Sequence, residues 1–398
     1  MIQSSRYTTK ILEGLANGGL GSRLLVLKQT TDNTQAAAPT LDTLRELFKP
    51  HISMNKARLA CFVMLVLAVI KQRTVSLVWL AQTADSDAKV DSIYRRFQRF
   101  FALSKLPPRM IGTLILALLP RPEEGWTLAM DRTNWQFGRT DINILVVTVI
   151  FNGMGFPIAW RLLPKSTKRG NSRKFHRTAL MDEVLKILPV EHIRVLTMDR
   201  EFVGKNWLMW LEFLEIRYVV RVKKNARIGS HSAAWLSDRN RWKKWAGERH
   251  LVFGRQVHFA AKRIKKGRDS HVAVISFGFS GEEALELYRQ RWGIETLFSH
   301  LKKRGYQFEE THLTKKERVE KLFGVLAVAF ALCYRWGQKL EKMGPKTKLK
   351  KHGYRAKSIF RRGFENLHRI LLTPVKLARE LAEFFDLVLR QPLSNFVV

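Results

Sequence analysis

Apolar residues recur at helical spacing through the first third of the chain, and in strand-like runs through its middle. From about Leu41 to Leu119 the pattern predicts helices. One carries Leu44, Leu47 and Phe48, and a second runs from Leu59 to Ile70. Val75 to Ala81 and Val90 to Phe101 follow, split by the polar Thr83, Ala84, Asp85, Ser86 and Asp87. A helix, a tight polar turn and a helix bearing Arg95, Arg96 and Arg99 outline a helix-turn-helix. A plain helical bundle with solvated arginines fits the same pattern. After Gly125 the periodicity changes. Strands are predicted at Trp126 to Met130, Ile142 to Phe151 and Phe156 to Leu163, with a hairpin turn over Asn152 to Gly155. Arg177 to Leu188 reads as helix, Ile193 to Met198 as strand, Val203 to Leu214 as helix and Ile216 to Val222 as strand. That order, βββ-α-β-α-β, predicts an α/β fold with a mixed sheet and helices on its faces. From Lys223 to Ser280 alternating stretches predict a β-rich insertion. Helices then run from about Gly281 to Lys303 and Glu317 to Lys339, and a final helical segment closes the chain.

Composition adds a partner class. The 398 residues are 46% hydrophobic, so the chain can fill a core. Lys and Arg number 70 against 34 acidic residues, a formal charge of +36, which suits a polyanion and nucleic acid first. The two cysteines, Cys61 and Cys333, stand far apart. They exclude a disulfide scaffold and argue for a reducing compartment, hence a cytoplasmic, nucleoid-associated protein. The apolar runs Leu59 to Ile70 and Leu322 to Tyr334 are shorter than a membrane span and read as core helices, so no membrane role is expected. No phosphate-binding glycine loop of the GxxxxGK[ST] kind occurs, so no nucleotide cofactor is expected. The first 40 residues read as a flexible leader.

The chemistry lies at three carboxylates. Two predicted strands end alike, in Met130-Asp131-Arg132 and Met198-Asp199-Arg200. If those strands are parallel neighbours, both carboxylates leave the same end of the sheet, a pair of hard oxygen ligands suited to Mg²⁺. Either aspartate alone reads equally as a helix or turn cap. On the helix from Gly281, Tyr288, Arg291, Glu295 and Lys302 fall within roughly 60° of arc. Glu295 can add a third carboxylate. Arg291 can hold a phosphate as a fork, Lys302 as a point charge, and Tyr288 through its hydroxyl. By itself, Arg291 with Glu295 is an ordinary surface pair. His300 lies about 140° from Glu295 on the same helix and reads as surface.

The spacing Tyr288-x2-Arg291-x3-Glu295-x6-Lys302 resembles the signature of a group of bacterial insertion-sequence DDE transposases that cut and paste DNA through hairpin ends. The strings Tyr288 to Glu295, Met130 to Trp135 and Met198 to Phe202 are similar to that group as well. The resemblance covers about Leu41 to Met343. It implies an RNase H-like catalytic domain with Asp131, Asp199 and Glu295 as catalytic residues and metal ligands. It also implies two Mg²⁺ ions, with Mn²⁺ able to replace them. The 96 residues from Asp199 to Glu295 leave room for the insertion at 223–280, where the group carries one. The implied partners are double-stranded transposon-end and target DNA, and a second copy of the chain to hold two ends together.

The expected organisation is a leader at 1–40, a helical DNA-binding domain at 41–122 and a catalytic domain at 123–222 and 281–315. The insertion occupies 223–280. A helical region at 316–398 carries a basic linker and candidate dimer contacts. Further candidate DNA contacts are Arg95, Arg96 and Arg99, and a basic run holding Lys168, Arg169, Arg173, Lys174 and Arg177. Trp235, Trp242 and Trp245 are candidates to stack on a flipped base, or insertion core. Two other functions suit the charge: a stand-alone Mg²⁺ nuclease, or a transposase-derived DNA-binding regulator without catalysis.

Overall fold

A computed structural model describes residues 41–389, except 139, 165–171, 246, 264–270, 349, 352–354 and 375–377. Five helices come first: α1 (Leu41–Phe48), α2 (Lys56–Gln72), α3 (Leu77–Gln82), α4 (Val90–Leu103) and α5 (Pro108–Leu118). The Asn55 side chain caps α2 by accepting the Arg58 N–H at 2.9 Å. Leu59 and Cys61 to Val66 of α2 are buried, as are Ala68, Val69 and Ile70. In α4 the four-residue spacing of Ile93, Phe97 and Phe101 makes one buried face, while Arg95, Arg96 and Arg99 stay exposed on the other.

Strands β1 (Trp126–Phe137), β2 (Thr140–Phe151) and β3 (Met154–Leu162) form an antiparallel meander. The β2–β3 turn is the two residues Asn152 and Gly153, both at positive φ (49° and 74°), the backbone that Asn-Gly tolerates best. Helix α6 (Lys174–Leu185), β4 (Ile193–Met198), α7 (Lys205–Phe213) and β5 (Tyr218–Arg221) follow. β4 pairs in parallel with both β1 and β5.

Residues 223–280 hold the small pair β6 (Arg227–Ile228) and β7 (His231–Ser232), helix α8 (Ala233–Ser237) and a 3₁₀ segment, Asp238–Trp245. They end in β8 (His250–Val252), β9 (Arg255–Arg263) and β10 (His271–Phe277). These last three do not form a sheet of their own. β10 pairs antiparallel with β5, giving one mixed sheet in the order β3-β2-β1-β4-β5-β10-β9-β8. Helices α9 (Gly281–Gln290), α10 (Trp292–Leu301), α11 (Lys316–Met343), α12 (Ile359–Leu372) and α13 (Ala378–Leu389) complete the described chain.

The helices bury the sheet. β2 and β3 are apolar almost throughout and packed by α5, α6, α10 and α11, as a strand covered on both faces must be. Two glycines bring α10 against the β2–β3 turn: a Cβ on Gly155 would meet the Gly293 carbonyl at 3.0 Å. Gly337 of α11 and Gly363 of α12 allow a closer approach still. Among the described residues no single helix is long and apolar enough to cross a membrane. α4 and α5 together have the length and composition, but they are bent by 107°.

Candidate active site

The parallel ladder between β1 and β4 ends at the pair Met130 and Met198, so the next residues, Asp131 and Asp199, leave it side by side. The strand carrying Asp131 is longer than the sequence implied. Predicted to stop at Met130, β1 continues to Phe137 as one arm of a hairpin with β2, and Asp131 lies within it opposite Val146. The polar string Asp131 to Gln136 hid this extension, because a hairpin arm needs only one covered face.

The predicted helix from Gly281 is broken at Arg291. There the backbone bonds tighten to i→i+3, from Arg291 N–H to the Tyr288 carbonyl and from Ile294 N–H to the Arg291 carbonyl. Tyr288 ends up on α9 and Glu295 on α10, with Arg291 at the joint.

Arg291 draws the three acids together. One of its terminal nitrogens donates to Asp131 Oδ2 at 2.8 Å and the other to Glu295 Oε1. Its Nε donates to the Tyr288 hydroxyl at 3.2 Å, and that hydroxyl donates to Asp199 Oδ1 at 3.3 Å. Arg291 and Tyr288, expected to bind phosphate, are buried in this structure and bonded to the carboxylates. Burial pushes the Asp131 carboxyl up to about 6. Arg291 and the Arg132 N–H pull it down, while Asp199 and Glu295 push it further up. Lys302 has left the helical arc. It caps the end of α10, where its ammonium pairs with Glu309 at 2.9 Å, bonds the Asn134 carbonyl at 3.2 Å and sits over the Trp135 ring.

Carboxylate oxygens are the hard donors that Mg²⁺ takes, one or two at a time beside water or phosphate oxygens. As the side chains stand, no three acidic, histidine or cysteine groups among the described residues are gathered closely enough to hold a metal ion. The Arg291 guanidinium holds one oxygen each of Asp131 and Glu295. The donors fit the ion in kind.

Beside the triad a cavity of about 780 Å³ opens between α9 and the 3₁₀ segment, with Trp242, Lys262, Tyr288, Arg289, Arg291 and Trp292 in its wall. Of the tryptophans proposed for stacking, only Trp242 lines it. Trp235 is exposed under Arg241, and Trp245 packs between His231 and His250. Trp292, which the sequence reading passed over, is 65% exposed at the cavity wall. Its signal was its position next to Arg291 in an otherwise amphipathic helix. Arg173 and Lys174 are exposed at the start of α6, whereas Arg177 turns inward. Lys168 and Arg169 lie outside the described residues, as does the expected leader.

His300, expected at the surface, is buried. The helix side opposite Glu295 faces α11 and α12, and the imidazole packs on Phe360 and Phe330. Burial pushes it down to about 4, helped by Arg304 and Arg361. Between about pH 4 and 6.5 the unfolded chain therefore binds more protons than the folded one. Stability is full above 6.5 and falls as the pH drops through that window. His300→Phe should remove on the order of 2–3 kcal/mol of that acid sensitivity. The check is the difference in urea midpoint between pH 7 and pH 4.5 for the two proteins.

A family model described as the transposase DDE domain matches residues 122–332, which include all three acids. Among solved structures, a piggyBac transposase synaptic complex with hairpin DNA is similar at 14% identity. That match covers 91% of this chain and 80% of that one, with a TM-score of 0.42. No curated protein matches the chain.

Proposed function

Because the chain belongs to the family of transposases with a DDE domain, we propose that it cuts transposon ends out through hairpin intermediates and joins them to target DNA. The carrying observation is the meeting of Asp131, Asp199 and Glu295 around Arg291 and Tyr288, from three separate parts of the chain. The family generally uses divalent metal ions, and in this chain Asp131, Asp199 and Glu295 would hold them. Bound there, Mg²⁺ or Mn²⁺ supplies Lewis acidity, easing deprotonation of the attacking oxygen and taking up charge on the leaving one.

The chain's own groups do the rest. Arg291, released from Asp131 and Glu295, grips the phosphate beside the cut, and Lys302 serves the same backbone from its place over Trp135. Tyr288 holds Asp199 in place and is not a nucleophile. Each step is an in-line displacement at phosphorus: water first nicks the end, and the freed 3′-hydroxyl then attacks the opposite strand to close a hairpin. Water opens the hairpin, and the 3′-hydroxyl attacks target DNA. The exposed arginines of α4 and the N-terminus of α6 bind DNA backbone. The working form is a homodimer on nucleoid DNA, with contacts from the helices after Glu317.

A labelled transposon end incubated with the full chain and Mg²⁺ tests this. Hairpin products followed by joined products are expected. Cleavage without joining would make the chain a stand-alone nuclease. Binding without cleavage would make it a regulator.

A further inference from the structure

The turn that carries Asp199 is held by side chains more than by the sheet. Asp131 remains in a strand, but beyond Met198 the chain leaves β4 and turns, with the Phe202 N–H donating to the Asp199 carbonyl at 2.9 Å. Two arginines grip that turn. Arg132, the residue after Asp131, reaches across as a fork: its Nε donates to Glu201 Oε1 at 2.6 Å and a terminal nitrogen to Oε2 at 2.5 Å. Its other terminal nitrogen donates to Asn143 on β2 at 3.3 Å. Arg177 approaches from α6, buried, and donates to the carbonyls of Glu201 at 2.8 Å and Val203 at 3.4 Å. Its remaining bonds go to Ser172, and its guanidinium lies over the buried Phe202 ring.

The fork thus joins the neighbours of the two aspartates where the β1–β4 ladder has stopped. We propose that Arg132 and Glu201, backed by Arg177, are positioning residues that set the separation of Asp131 and Asp199 and thereby their joint affinity for a divalent ion. This rests on the metal-dependent reading above. A bidentate pair between mostly buried groups fixes both distance and angle, which a single lysine contact would not. It also keeps the Glu201 carboxylate, two residues from Asp199, engaged away from the site. Outer groups that orient ligands in this way typically change metal affinity by about 10–100-fold when lost.

The test uses the full chain and Mn²⁺ alone, with binding followed by the loss of the free-ion paramagnetic resonance signal. Glu201→Gln and Arg132→Lys should each weaken Mn²⁺ binding about 10–100-fold. Joining activity should return at raised Mn²⁺. Arg132→Lys keeps the charge and a polar contact, so it guards against a Glu201→Gln chain that fails to fold. A merely structural pair would lower the thermal midpoint and leave the affinity of the folded protein as it was. A folded Arg132→Lys protein that binds Mn²⁺ like the unaltered chain overturns the proposal. If the unaltered chain binds no Mn²⁺, or binds it equally well as Asp131→Ala, the metal reading itself fails and the proposal goes with it. That failure is told apart because it needs no change at Arg132 or Glu201.

Discussion

Asp131→Ala, Asp199→Ala and Glu295→Ala should each bind a pre-cleaved transposon end within a few-fold of the unaltered chain and fail to join it. A carboxylate that holds a catalytic metal commands several kcal/mol of transition-state stabilisation. At about 1.4 kcal/mol per decade, the loss in joining rate is on the order of 10³-fold or more. Binding survives because DNA affinity comes mainly from cations on phosphates, and the acids contribute nothing to it. Misfolding is the competing explanation, and the thermal midpoint of each variant by circular dichroism separates it from lost chemistry. Normal joining by any one of the three alanine variants would remove that residue from the active site.

The largest expected loss of stability is far from the chemistry. A methyl group on Gly363 would stand 1.9 Å from the Cys333 carbonyl and 2.5 Å from the Gly337 amide nitrogen. Both neighbours are backbone of α11, and Cys333 and Gly337 are buried in it, so neither can step aside. Helix propensity alone would favour alanine here by about 1 kcal/mol. The steric conflict runs the other way and is larger: about 3 kcal/mol or more, since α11 and α12 must separate. Gly363→Ala should lower the thermal midpoint by about 5 °C or more, measured by circular dichroism. An unchanged midpoint would mean that the two helices are not packed backbone to backbone. The sequence pattern marks Gly363 only as a poor helix former, which is the opposite of its importance.

That contrast marks what could be read from the chain. The buried strand Ile193–Met198 was predicted to the residue, because an apolar run bounded by proline and aspartate has few other uses. The Asn152 and Gly153 turn was legible from its backbone demands, though the loop is two residues rather than four. The two aspartates and Glu295 were singled out from expected strand ends and helical spacing, which are local patterns, and only the family resemblance joined them into one site, although Asp131 lies inside β1 rather than at its end. What was missed depends on remote partners. Spacing placed Arg291 on the right face but could not show that it bonds Asp131, which lies 160 positions earlier. His300 was placed opposite Glu295 correctly, yet that side is covered by Phe330 and Phe360 from later helices. Residues 223–280 were expected to be β-rich, but alternation within 250–277 says nothing about which strand they will join.

That shared sheet bears on how the protein is made. β5 pairs with β4 on one side and with β10 on the other, and about 50 residues separate β5 from β10 in the chain. At roughly 5–20 residues per second of synthesis, β5 waits about 3–10 s for that second neighbour. During that interval its backbone is an open edge, the kind of surface on which nascent chains stick to one another. That edge opens after the first two aspartates have been translated and closes before the glutamate has.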